Sequence, residues 1–65
     1  MEIKYQGKAT ETDATTIAAF LAEWGVKPTE AVVEVDGEIV AADAMAATPL
    51  HEGAELNVFR IVAGG

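Results

Sequence analysis

The chain opens with Met1, Ile3 and Tyr5 alternating with Glu2, Lys4 and Gln6, the period of two that marks a strand with one buried face. Gln6-Gly7-Lys8 is a turn signal, and Ala9 to Thr12 supplies a second short strand to complete a hairpin. The period then changes. Ile17, Phe20, Leu21 and Trp24 fall at i, i+3, i+4 and i+7, one apolar stripe that predicts a helix packed on the core, the alternative being an exposed partner-binding face carrying Phe20 and Trp24. Asp13 or Thr15 can cap its first free amides with a side-chain oxygen. Gly25 stands where a left-handed residue ends a helix, and Pro28 prevents continuation. Next, Ala31 to Val35 and Glu38 to Val40 flank Asp36-Gly37, a dipeptide suited to a type I′ hairpin turn, in which both central residues need positive φ. Ala41 to Ala47 is alanine-rich and weakly helical at best, ended by Thr48-Pro49. Leu50 is expected to plug the core, and Glu52-Gly53 turns into the longest strand, Glu55 to Val62.

The order strand, strand, helix, strand, short strand, strand places antiparallel hairpins around one helix. It predicts an α+β fold of the β-grasp (ubiquitin-like) type, a mixed sheet of four to five strands packed on one main helix. Residues 1–62 are read as the β-grasp domain and residues 63–65 as a flexible C-terminal tail.

Composition narrows the chemistry. A domain of 65 residues buries only about 60% of the surface its unfolded chain exposes. It has little room for an enclosed substrate pocket of roughly 300 Å³ or more, so size speaks against an enzyme. The absence of cysteine removes disulfides, thiolate metal sites and a cysteine nucleophile. Eleven acidic residues against Lys4, Lys8, Lys27 and Arg60 give a net charge of −7. Such a surface is repelled by nucleic acid and by anionic membranes, and it suits steering toward a basic protein partner. No run approaches the roughly 18 apolar residues of a membrane span, and the start lacks the apolar stretch of a signal peptide; a cytoplasmic protein is expected. His51, beside a turn with no second ligand nearby, is expected to be surface decoration. Glu34, Asp36, Glu38 and Asp43 match no EF-hand spacing and are expected to form a solvated face, with no metal bound.

The last strand runs into Val62-Ala63-Gly64-Gly65. Two closing glycines arise by chance about 0.5% of the time at a usage of roughly 7% each, so the pair gains meaning mainly from the strand order before it. Together with the opening Met1-Glu2-Ile3 strand, the helix carrying Ile17 and Leu21, the turn before Ile39-Val40, and Glu52-Gly53, this ending resembles the ThiS/MoaD superfamily. These are the ubiquitin-like sulfur carriers of thiamine and molybdopterin biosynthesis, and the resemblance spans essentially the whole chain. The length and the ending Phe59 to Gly65 look closer to the thiamine branch. Molybdopterin carriers are usually longer and often carry prolines where this chain has Arg60 and Ile61.

The resemblance implies a carrier acted on by enzymes. An adenylating enzyme of the ThiF/MoeB kind would use ATP and Mg²⁺ to convert the terminal carboxylate of Gly65 to an acyl-adenylate. A persulfide sulfur, from a donor such as a cysteine desulfurase, would displace AMP and leave a thiocarboxylate. The acceptor is thiazole synthase in the thiamine branch, or another sulfur-accepting enzyme; the carrier binds no cofactor itself. Ala63, Gly64 and Gly65 suit such visits, extending about 10 Å at roughly 3.3 Å per residue with almost no side-chain bulk. Recognition falls to the body. If Leu56 and Val58 face the helix, Asn57, Phe59 and Ile61 face outward, joined by Val32 and Glu34. Phe59, Ile61 and Val32 are therefore the expected docking patch for the activating enzyme, the alternative being the opposite register with Phe59 in the core. Rival readings are a molybdopterin-type carrier, a ubiquitin-like modifier conjugated to lysine, and an interaction module whose terminus is incidental. An acyl carrier is excluded because the chain has no serine.

Overall fold

A computed structural model describes residues 1–60 of the chain. The expected domain boundary at residue 62, Ile61 of the docking patch and the tail residues Ala63, Gly64 and Gly65 lie outside the described residues. Five strands form one sheet: β1 Glu2–Tyr5, β2 Lys8–Glu11, β3 Ala31–Val35, β4 Glu38–Val40 and β5 Glu55–Arg60. Their order is β2-β1-β5-β3-β4. Two antiparallel hairpins, β1–β2 and β3–β4, flank β5, which runs parallel to β1 and antiparallel to β3. With helix α1, Ile17–Glu23, this is the mixed-sheet β-grasp arrangement that the residue pattern predicts.

The core lies between α1 and one face of the sheet. Ile3, Ile17, Phe20, Leu21, Val33, Met45 and Leu56 are almost completely buried, each contributing about 1.5–3 kcal/mol by removal from water. Leu50 is buried as expected. The alanine-rich stretch is a 3-10 helix, Ala42–Ala47, that inserts Met45 into this core. The buried hydroxyl of Thr12 donates to Glu23 Oε1 at 2.7 Å and accepts from the Ala14 amide at 3.0 Å, tying the end of the first hairpin to the helix.

Two expectations for α1 need correction. The N-cap is neither Asp13 nor Thr15 but Thr16, in extended conformation, whose Oγ1 accepts from the Ala19 amide at 3.2 Å. The neighbouring Thr15 instead uses its carbonyl to accept from the Leu50 amide at 2.9 Å. Trp24 is the second correction. It is 51% exposed, not a core residue, because the helix ends one residue before it. Trp24 is the C-cap, Gly25 takes φ +69°, and the Gly25 and Val26 amides donate back to the Ala22 and Leu21 carbonyls. This Schellman arrangement leaves one side of the indole open to solvent. Its other side packs at a tilt against Tyr5 and Phe20, with ring centroids 4.8 and 5.9 Å away.

Candidate functional site

The sheet face away from α1 is set by alternation along β3 and β5. Val33, Leu56 and Val58 point inward and are buried, which leaves Val32, Glu34, Asn57 and Phe59 on the outer face. The register is the one favoured from the sequence: Val32 stands opposite Phe59 and Glu34 opposite Asn57. Phe59 is 55% exposed and Val32 half-buried, so the structure brings together the two described members of the expected patch. Asn57 Nδ2 donates to Glu34 Oε1 at 3.3 Å beside them.

One member of this surface was missed. Ile39, 73% exposed, is the most open large apolar side chain described. It lies opposite Glu34 on β4 and diagonal to Val32, extending the apolar surface from β5 across β3 to the sheet edge. The signal was present in the sequence. A two-residue Asp-Gly turn pairs Val35 with Glu38 and Glu34 with Ile39, which puts Ile39 on the face of Glu34 and Val32. The remainder of the outer face is mainly acidic: Glu2, Glu11, Glu34 and Glu55, with Lys4 as a cation among them. A shallow depression of about 160 Å³ lined by Lys4, Gly7, Glu55 and Asn57 falls well short of the roughly 300 Å³ of a small-molecule site. A surface of this kind can dock a protein, with apolar contact at its centre and steering by its charge.

His51 is more than decoration. Its Nε2 lies 2.7 Å from Asp36 Oδ2 and its Nδ1 3.0 Å from the Glu52 carbonyl oxygen. Two acceptors facing two ring nitrogens suit the imidazolium, since neutral imidazole has one N–H. The Asp36 side chain, and then the Glu52 carbonyl, raise the His51 pKa above its ordinary value. In return, the Glu55 amide, donating to Asp36 Oδ1 at 3.0 Å, and then His51 lower that of Asp36. The pair is exposed and structural, pinning the β3–β4 turn to the start of β5. No group of three potential metal ligands occurs among the described residues, and no helix of the described residues is long and apolar enough to cross a membrane.

The sequence model of the ThiS family matches residues 2–65. This chain belongs to the ThiS family. Members of this family are small sulfur carriers rather than enzymes, and the chain shares that role. Family membership also implies an adenylating enzyme and a sulfur-accepting enzyme as partners. Among solved structures, the chain is similar to the crystal structure of a thiamine biosynthesis protein (ThiS) from Geobacter metallireducens. The TM-score is 0.85 at 23% identity, with 100% of both chains covered. It is also similar to the NMR solution structure of a thiamine biosynthesis protein from Geobacter metallireducens, with a TM-score of 0.78 at 25% identity, covering 100% of this chain and 88% of that one. Comparison with curated protein sequences gives no match.

Proposed function

We propose that this chain carries sulfur for thiamine thiazole synthesis as a thiocarboxylate on Gly65. The observation that carries the reading is the match to the ThiS family, which runs through residue 65 and so includes Ala63-Gly64-Gly65. A carboxylate is a poor electrophile, so an adenylating partner must first use ATP and Mg²⁺ to form the acyl-adenylate. The terminal sulfur of a persulfide then attacks the carbonyl carbon and AMP leaves. A second thiol cleaves the S–S bond of the acyl disulfide so formed, becoming a disulfide with the donor and releasing the thiocarboxylate. The resulting thiocarboxylate is nucleophilic at neutral pH, and its sulfur passes to an acceptor of the thiazole synthase kind. The chain supplies no acid, base or metal to these steps. Its part is to present one carboxyl group on a slender tail and to dock through Phe59, Val32 and Ile61, with Ile39 at the margin.

The test is intact-mass analysis after incubation with a ThiF-type adenylating enzyme, ATP, Mg²⁺ and a persulfide donor. One oxygen replaced by sulfur at Gly65 is the expected product, absent when Gly65 is deleted or the chain is extended beyond it. Diglycine remnants on lysines of other proteins, without thiocarboxylate, would overturn this reading in favour of a protein modifier.

A further inference from the structure

Where β1 ends, a side chain takes over its work on β5. The parallel ladder runs from the Lys4 amide donating to the Ala54 carbonyl, at 2.8 Å, to the Gln6 amide donating to the Leu56 carbonyl, at 3.0 Å. The next rung would need a backbone beyond Gln6, but the chain there turns away into β2. Instead the Gln6 carboxamide fills the gap. Its Nε2 donates to the Val58 carbonyl at 2.7 Å and its Oε1 accepts from the Val58 amide at 3.1 Å, reproducing both hydrogen bonds a neighbouring strand would make.

This contact is held against a local preference. Gln6 and Gly7 occupy the turn with φ of +53° and +80°, and a non-glycine residue tolerates the left-handed region best as Asn or Asp. An asparagine would suit the backbone and leave its amide one methylene short of Val58. The residue present suits the contact and not the turn. We propose that Gln6 is a positioning residue for carrier function, fixing β5 at Val58 so that partner enzymes meet an already ordered strand end. The inference rests on the reading that Gly65 is the working terminus. A strand end ordered in advance lowers the entropy lost when the chain enters an enzyme channel.

The test is Gln6→Asn in the full 65-residue chain. Thermal stability should stay level or rise, because the turn is relieved, while the Val58 amide exchanges with solvent faster. In pyrophosphate-release assays with an adenylating enzyme, KM for the carrier should rise about two- to tenfold, at most the net worth of about one hydrogen bond. The kcat should be unchanged, because ordering of the carrier in advance affects its binding and not the chemical step. A merely structural role predicts lower stability with unchanged KM, and that result overturns the proposal. Unchanged protection of Val58 overturns it too. If the wild-type chain is not adenylated at all, the sulfur-carrier reading fails separately, and Val58 exchange alone decides the clamp.

Discussion

The two hairpins of this protein turn in the same way and hold the same strand by different chemistry. At Gln6-Gly7, φ is +53° and +80°; at Asp36-Gly37 it is +52° and +87°. In both, the first turn residue uses its side chain to bond the backbone of β5. Gln6 takes the amide and carbonyl of Val58, while Asp36 takes the amide of Glu55 and adds an ion pair to His51. One attachment is neutral and lies near the C-terminal end of β5. The other is charged and lies at its beginning. β5 is thus held at both ends, and only one of its two holds depends on pH.

The largest effect should come from removing the side chain that lies between both holds. Leu56, fully buried between Glu55 and Val58, should cost about 2–5 kcal/mol on Leu56→Ala, measured by urea denaturation. Amide exchange should accelerate at both Glu55 and Val58; acceleration at one end only would show that the two attachments are independent. Next in size is the backbone of the turns. A Cβ added at Gly7 or Gly37 meets nothing within 4 Å, so the penalty is conformational alone. Gly7→Ala and Gly37→Ala should each cost about 1–2 kcal/mol, and thermal unfolding that separates them widely would break the equivalence of the turns.

The smallest effect separates the two chemistries. His51 has its folded pKa raised above the ordinary 6.5, so its contribution is fully present below 6.5 and is lost as pH rises through the folded value. Asp36 has its folded pKa lowered below the ordinary 3.8, so its contribution is present above 3.8 and is lost as pH falls through the folded value. Together they support the β3–β4 turn most between those two ordinary values. Both groups are open to solvent, so the gain is modest and screened by salt. Stability measured against pH should show a shallow decline on the alkaline side that His51→Gln removes and Gln6→Asn leaves in place. A decline that survives in His51→Gln would assign it to another group.

Much of this was legible along the chain because it depends on near neighbours. The strand alternation, the Asp36-Gly37 turn, the helix stop at Gly25 and the outward register of Phe59 and Val32 all follow from periods and turn residues. Ile39 was equally legible, since a two-residue turn dictates its face. Trp24 was not. Its spacing continues the apolar stripe, but spacing does not tell where a seven-residue helix ends relative to the sheet beneath it. The N-cap slipped similarly, because Thr15 and Thr16 offer the same hydroxyl, and the choice falls to Thr16 once Thr15 is bonded to Leu50 through its backbone.

By itself, the sequence determined the β-grasp order, the core-facing positions of the strands and, through its likeness to the ThiS family, the candidate terminus Gly65. These are local or composition-borne properties, governed by side-chain period and backbone preference. Tertiary structure alone decided what spans the sheet: Gln6 meeting Val58 across 52 positions, and His51 meeting Asp36 across 15. Neither pairing has a period or a motif. Each exists because β5, last in the chain, lies between the two hairpins that come before it, and only that topology brings their turns within hydrogen-bonding reach of the strand that leads to the terminus.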